Sequence, residues 1–220
     1  MLPEVTPRSV AIVPHTHWDR EWYHSAARFQ VRLARLVDDV AEQLWRKRLP
    51  SFLLDGQGIV LDDYLEMRPE RKKDSRWPMA AGRLECGPWY VLADNLTVSG
   101  EALVRNLLEG GKAVRRAGGQ LMPVGYAPDA FGHPAILPTL FAGFGIRSAV
   151  TWRGFGGESG QDKDLYRWRG PDGAQVVMIH LPAPGYEYGA NLPADPDEAQ
   201  QRWGKLRAML EPRACSPQHR

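Results

Sequence analysis

The sequence is poor in the features that mark three common classes of protein. It has only two cysteines, Cys86 and Cys215, in 220 residues, and two cysteines make no disulfide framework of the kind that holds small secreted domains together. It has no apolar run near the roughly 18 residues that span a bilayer. Its 28 basic and 26 acidic residues leave a net charge of +2, which is too even for electrostatic binding of nucleic acid.

The amino-terminal residues 1–13 contain one arginine and no long apolar stretch before a small-residue cleavage site, so they do not read as a secretory signal. Hydrophobic residues make up 43% and charged residues 25% of the chain, which is typical of globular proteins. These observations predict a soluble, cytoplasmic protein with no nucleic-acid or membrane partner.

Short apolar runs alternate with helical stripes along the chain, and this alternation predicts an α/β fold with a parallel sheet. Both an open doubly wound sheet and a closed barrel fit the pattern, and both bind ligands at the carboxyl ends of their strands. Strands are predicted at residues 9–13, 51–54, 122–126 and 148–152, and a hairpin at 167–181. Residues 84–92 are predicted to contain a further strand, interrupted by Gly87 and Pro88. The helices are predicted at residues 29–44, 59–67, 99–118, 136–144 and 195–210.

The segment after the first predicted strand is dense in metal-binding and aromatic residues. Alternate side chains of an extended segment share a face, so His15, His17 and Asp19 can all point the same way. Imidazole and carboxylate ligands two residues apart suit a borderline cation such as Zn²⁺. The alternative is a solvated loop whose histidines cap neighbouring backbone groups.

A second polar segment follows the fourth predicted strand. Asp129 lies there after a proline and before a Gly-His-Pro turn. If both segments end on one rim of a parallel sheet, Asp129 can close onto a metal held by His17 and Asp19. The alternatives are an N-cap role for Asp129 and, for His133, either orientation of Asp129 or a plain loop position.

Several motifs of this sequence together resemble glycoside hydrolase family 38, the α-mannosidases, and in particular their bacterial branch, which includes mannosylglycerate hydrolases. The resemblance runs from about residue 10 to residue 189. The motifs that carry it, in chain order, are HTHWDREWY, LLDGQ, CGPWYVLAD, SGEALVRNLLEG, GYAPDAFGHPAILP and TWRG.

The resemblance implies a (β/α)₇-type barrel and a retaining α-mannosidase that uses one zinc ion and acts on a mannoside. The family's first two zinc ligands fall on His17 and Asp19, and its nucleophile, which also contacts the metal, falls on Asp129. The aromatic residue that packs against the mannose ring falls on Trp22, and an active-site arginine falls on Arg153. His15 belongs to the motif without being a ligand, and it is expected to support the ligands, as is His133.

The resemblance also implies a fourth zinc ligand and a general acid/base that no motif of this chain matches. The family takes its fourth zinc ligand and its general acid/base from segments further along, and His180 is a poor substitute for that ligand because it lies in a strand-like apolar run. Residues 1–194 are therefore expected to be the N-terminal part of the catalytic barrel. Residues 195–220 are expected to be a helix and a divergent, unstructured tail, and the chain is expected to be a truncated form.

Two other functions remain open at this point. One is a non-catalytic remnant that binds metal or mannoside without turnover. The other is an amidohydrolase-like hydrolase, which requires further metal-binding histidines at strand ends. The predicted strand ends do not coincide with His24, His133, His180 or His219.

Several further residues have a structural interpretation beside a functional one. The carboxylates Glu85, Asp94 and Glu101 either line the cleft or form caps and salt bridges. Tyr186 and Tyr188 either reach the sugar or pack on the surface.

Overall fold

The fold was analysed in a computed structural model, which describes residues 12–74, 77–156, 163–187 and 189–214. Its strands are β1 (Phe52–Leu53), β2 (Leu84–Glu85), β3 (Val124–Ala127), β4 (Ser148–Thr151), β5 (Leu165–Arg169) and β6 (Gln175–His180). Its helices are α1 (Ala26–Trp45), α2 (Ile59–Met67), α3 (Gly100–Arg116), α4 (Leu137–Gly143) and α5 (Pro196–Leu210). Short 3₁₀ turns lie at Pro69–Lys73, Gly185–Glu187 and Glu211–Arg213.

The strands form two sheets, in which all pairs but one are parallel. Strands β1 and β2 pair with each other, and a second sheet has the order β3-β4-β6-β5. The β3–β4 and β4–β6 pairs are parallel, whereas β5 and β6 form the predicted antiparallel hairpin. The predicted α/β class and its parallel strands are therefore confirmed.

The helices follow the predicted apolar stripes. The face of α1 that bears Phe29, Leu33 and Leu44 is buried against α2, as expected from apolar residues at a spacing of three and four. Helix α3 begins as predicted, because the Ser99 hydroxyl accepts a hydrogen bond from the Ala102 amide. Helix α5 begins at Asp195, which caps two amides of its first turn. None of the described helices is long and apolar enough to cross a membrane.

One predicted strand differs from the structure. Of residues 9–13, only Ile12 and Val13 are described, and both are exposed and outside any strand. The strand predicted within residues 84–92 is β2, and the predicted interruption follows it, because Gly87 has a φ of +98° and Pro88 has no amide hydrogen to donate to a sheet. The chain after β2 therefore forms a loop, and this loop becomes one wall of the cavity described below.

Helix α3 lies against that loop at a contact without room for a side chain. A Cβ atom on Gly110 would lie 2.2 Å from the Pro88 carbonyl oxygen and 2.4 Å from the Trp89 carbonyl carbon. A Cβ on the neighbouring Gly111 would approach only the mobile end of Arg115, at 3.2 Å. The two adjacent glycines of one helix thus have opposite tolerance for substitution.

We expect Gly110→Ala to lower the free energy of unfolding by about 2 kcal/mol or more, because the helix must move away from the 88–89 backbone. Gly111→Ala is expected to be neutral or to stabilise the protein by up to about 1 kcal/mol, as alanine is the better helix former. Urea unfolding of both variants measures the difference. Equal stability of the two variants would show that the close contact is not formed in solution.

Candidate active site

The candidate site is built from segments that follow four strands, together with the loop that contains His17. Asp55 follows β1, Asp129 follows β3, Arg153 follows β4 and Tyr186 follows β6. The loop at residues 15–19 is joined to β1 by a bridge between His15 and Leu53. The structure brings the loop and these four segments together.

His17, Asp19 and Asp129 meet at one point. The His17 Nε2 atom lies 3.5 Å from Asp19 Oδ1 and 3.8 Å from Asp129 Oδ2. Neither ring nitrogen of His17 has a hydrogen-bond partner among the described groups, although both are buried. Buried polar atoms normally have partners, so these two nitrogens are suited to bind a polar or ionic ligand.

The spacing of these atoms suits a metal ion. Around a tetrahedral zinc ion with bonds of about 2.0–2.2 Å, neighbouring ligand atoms lie roughly 3.4 Å apart, close to the 3.5 and 3.8 Å observed here. Within residues 12–74, 77–156, 163–187 and 189–214, no group of three or more His, Cys, Asp or Glu side chains already stands at metal-binding distances. The three side chains fit a zinc site if they close slightly around the ion.

Asp129 has a second neighbour on its other side. The Arg153 Nε atom is 2.9 Å from Asp129 Oδ1, within ion-pair distance, but the two groups are not aligned for a hydrogen bond. The guanidinium also lies 4.4 Å from the centre of the Trp152 ring, and the Arg153 amide donates to the Pro128 carbonyl at 2.9 Å. These contacts fix Arg153 beside the Asp129 carboxylate.

Tyr186 covers His17. The two rings stack with their centres 4.5 Å apart, and the Trp152 ring meets Tyr186 edge-on at 5.4 Å. Burial and the nearby Asp129 charge raise the pKa of Tyr186 to about 12. The Tyr186 carbonyl is held by His15 Nε2 at 3.0 Å, so the role found for His15 is to fix this turn. Tyr188 lies outside the described residues.

Asp55 is fully buried beneath the loop at residues 15–19 and hydrogen-bonds to it. Its carboxylate accepts hydrogen bonds from the amides of Trp18 and Gly56 at 3.0 and 2.6 Å, and from the Gln57 side chain at 2.8 Å. Burial raises the pKa of Asp55 to about 6, against the opposing effects of His17 and of these hydrogen bonds. The Trp18 bond places Asp55 directly behind the peptide that joins His17 to Asp19.

Asp55 stands in the LLDGQ motif, but no role was assigned to it from the sequence. The signal that could have identified it is the one that identified Asp129, namely a carboxylate immediately after a strand of a parallel sheet.

Other predicted residues lie apart from this centre. His133 does not hydrogen-bond to Asp129; its Nε2 contacts the Arg153 carbonyl at 2.9 Å, and burial lowers the pKa of its imidazole. Trp22 is 77% exposed and contacts Tyr23. His180 is buried between the Trp152 carbonyl and Arg213, as expected of a residue in a strand. His219 lies outside the described residues, as does Cys215.

A cavity of about 440 Å³ opens from His17, Asp19 and Asp129, within the size range of roughly 300–1,000 Å³ typical of small-molecule sites. The loop after β2 supplies its other wall. The residues that line it include Trp18, Arg20, Glu21, Gln57, Trp89, residues 91–95 and Phe131. Asp94 is among them, whereas Glu101 forms an exposed ion pair with Arg105 on α3.

Comparison with known proteins identifies the family of this chain. The model of the glycosyl hydrolases family 38 N-terminal domain matches residues 7–215. The chain belongs to glycoside hydrolase family 38. This finding confirms the family indicated by the motifs and leaves no support for the amidohydrolase alternative.

The family 38 relatives include mannosidases from distant organisms. A protein of Halalkalibacterium halodurans whose provisional name is mannosylglycerate hydrolase is 41% identical over 209 residues, which cover 90% of this chain and 23% of that protein. α-Mannosidase F of Dictyostelium discoideum is 27% identical over 77% of this chain and 18% of its own length.

A solved structure shows the same fold in this family. The crystal structure of an α-mannosidase from Enterococcus faecalis V583 superposes with a TM-score of 0.85 at 34% identity, over 93% of this chain and 23% of that one. The chain therefore spans about a quarter of the length of the family 38 proteins that it matches.

Proposed function

We propose that this chain contributes the core of a zinc-dependent α-mannosidase site that hydrolyses terminal α-mannosides with retention of configuration. The observation that carries the proposal is the approach of His17, Asp19 and Asp129 to one point, with Arg153 beside Asp129. The mannosidase names of the family 38 relatives support the choice of substrate.

His17, Asp19 and Asp129 would hold the zinc ion. The ion would supply orientation and charge stabilisation for the hydroxyl groups of the sugar rather than a hydroxide nucleophile. The orphaned nitrogens of His17 and the mixed nitrogen and oxygen donors support this assignment.

Asp129 would act as the nucleophile. Its carboxylate attacks the anomeric carbon, the bond from that carbon to the leaving oxygen breaks, and a carboxyl group acting as general acid protonates that oxygen. Water then gives a proton to that same carboxyl group, now acting as a base, and attacks the anomeric carbon, so that the ester bond to Asp129 breaks. Arg153 supports this role because its guanidinium, 2.9 Å from Asp129 Oδ1, holds the attacking carboxylate in place.

The remaining assigned residues would support substrate and fold. Trp22 would offer an apolar face to the sugar ring, which its exposed indole in the same loop allows. His15 would position Tyr186 over His17, and His133 would position Arg153.

We also propose that residues 1–194 form the N-terminal part of a (β/α)₇ barrel, with residues 195–220 as a separate helix and tail. The parallel strands with intervening helices support the barrel.

Hydrolysis of two α-mannosides by the purified chain tests the proposal. One substrate has a dinitrophenolate leaving group, which departs without being protonated. The other is a methyl α-mannoside, whose leaving oxygen must be protonated by a general acid. After chelation, we expect no turnover, and we expect zinc to restore cleavage of the dinitrophenyl substrate. The matching β-mannoside is the control and should remain intact.

The two substrates separate the candidate functions. Cleavage of both means that nucleophile and general acid are present together, and cleavage of only the dinitrophenyl substrate means that Asp129 works without the acid. If zinc binds and neither substrate is cleaved, the proposed activity of this chain is wrong and the non-catalytic alternative holds.

A further inference from the structure

The loop that carries Asp19 is held to the rest of the protein on both sides of that residue. On the amino-terminal side, the Trp18 amide donates to Asp55 at 3.0 Å. On the carboxyl-terminal side, the Arg20 guanidinium donates two hydrogen bonds to the Asp63 carboxylate, from Nε to Oδ2 at 2.7 Å and from Nη2 to Oδ1 at 2.9 Å. The proposed mechanism uses neither Arg20 nor Asp63.

The Arg20–Asp63 pair joins this loop to the interior of the fold. Asp63 is 7% exposed and lies on α2, which packs against α1 and α3. A two-pronged contact between arginine and carboxylate fixes direction as well as distance, and a buried carboxylate that loses its cation is destabilised. Residues 21–23, which follow Arg20, are exposed. The pair therefore restrains the loop to α2 just before the loop enters solvent.

The Asp19 side chain has little of its own to hold it in place. It is 40% exposed, and the close polar contact found for it among the described residues is the approach of 3.5 Å to His17. The direction of the carboxylate therefore depends on the backbone at the two neighbouring residues. Asp55 restrains one of these neighbours, and the pair restrains the other.

We propose that the Arg20–Asp63 pair positions Asp19, and that it does so by fixing the backbone from which this carboxylate reaches the metal. The inference rests on the proposed function, since it takes Asp19 as a zinc ligand. Arg20 also lines the cavity, so two other roles have to be distinguished from positioning. One is direct contact with the sugar, and the other is a charge effect in which the positive guanidinium repels the zinc ion.

Zinc affinity distinguishes these roles. We would measure it by competition with a chromogenic chelator for the wild type, Arg20→Ala, Asp63→Ala and the double variant. Each single change is expected to weaken zinc binding about tenfold, within the range usual for groups that orient metal ligands. The double variant is also expected to lose about tenfold rather than about a hundredfold, because either change removes the same contact. A repulsive charge predicts the opposite sign for Arg20→Ala, namely tighter binding.

A conservative variant and a spectrum separate positioning from general support of the fold. Arg20→Lys keeps the charge and one hydrogen bond but loses the planar fork, and it should bind zinc within about threefold of the wild type. Cobalt(II) in place of zinc has a visible spectrum that depends on coordination geometry. At saturating cobalt, Arg20→Ala should absorb more weakly than Arg20→Lys, because water replaces a displaced Asp19 and raises the coordination number.

The neighbouring residue on the same helix provides the matched control. Asp62 pairs with Arg116 of α3 at 2.7 Å, so this contact joins two helices and does not touch the loop. Replacing both of its members with alanine should leave zinc affinity unchanged. If Arg20→Ala fails to fold because Asp63 is left without its cation, the double variant, which removes both charges, replaces it in the test.

The positioning role is overturned if the folded double variant binds zinc within about twofold of the wild type, or if Arg20→Ala binds zinc more tightly. It is also overturned if the Asp62 and Arg116 control loses as much affinity. A raised KM for the dinitrophenyl mannoside with unchanged zinc affinity would assign Arg20 to the sugar instead. Wild-type protein that binds zinc without hydrolysis contradicts only the proposed activity, whereas wild-type protein that binds no zinc contradicts both.

Discussion

Replacing Asp129 with asparagine is expected to lower kcat/KM for an activated α-mannoside by about 10⁴-fold or more, because a neutral amide cannot form the glycosyl ester. The side chain keeps its size, so the far-UV circular dichroism spectrum should stay native. Zinc affinity should also fall, since the amide oxygen is a weaker ligand than the carboxylate that lies 3.8 Å from His17 Nε2. Steady-state kinetics at saturating zinc separate the two effects.

The matched control for this change is Asp62→Asn. Asp62 is also an aspartate paired with an arginine, at 2.7 Å from Arg116, but on the outer surface of α2. Exposed pairs of this kind contribute little to stability, so this variant should keep wild-type activity. If Asp129→Asn retains activity within tenfold of the wild type, Asp129 is not the nucleophile.

The second large effect is expected at Asp55, which touches neither zinc nor sugar. Asp55→Ala removes the acceptor for the Trp18 and Gly56 amides and for the Gln57 side chain. Leaving these buried donors unpaired should cost about 3 kcal/mol of unfolding free energy. It should also lower zinc affinity by about 10–100-fold, the usual effect of losing a group that orients metal ligands.

Asp38→Ala provides the comparison. Asp38 likewise binds three donors, from Tyr64, Arg68 and Arg71, but on the outside of α1 and α2. Its loss should destabilise the protein while zinc affinity stays unchanged. Urea unfolding and zinc titration against a chromogenic chelator measure both quantities. Equal zinc affinity of the wild type and Asp55→Ala would mean that Asp55 supports the fold and not the ligands.

The sequence predicted the helices well because their signals are local. The apolar stripe of α1, the Ser99 cap of α3 and the Asp195 cap of α5 depend on residues within one or two turns. The first strand was predicted less well, because an apolar run does not show whether another strand pairs with it, and Ile12 and Val13 lie exposed outside any strand. At residues 84–92, the predicted interruption by Gly87 and Pro88 is confirmed.

For the candidate site, the sequence identified residues that the structure brings together and missed one that holds their loop. His17, Asp19 and Asp129 were identifiable because they stand in short polar motifs. The place of Asp55 after a strand could have drawn attention to it, but its role depends on burial and on the Trp18 amide, a partner 37 residues away. His133 illustrates the same limit, since its partner is the Arg153 backbone, 20 residues away.

The hydrogen bond from His15 to Tyr186 has a consequence for the order of folding. It joins residues 171 positions apart, whereas the paired strands β1 and β2, or β3 and β4, are separated by a single stretch that includes one helix. Closing a longer loop costs more entropy, and distant contacts form more slowly than near ones. The sheets are therefore expected to form first, and the contact of Tyr186 with His17 is expected to form last, when the segments around His15 and Tyr186 are already docked.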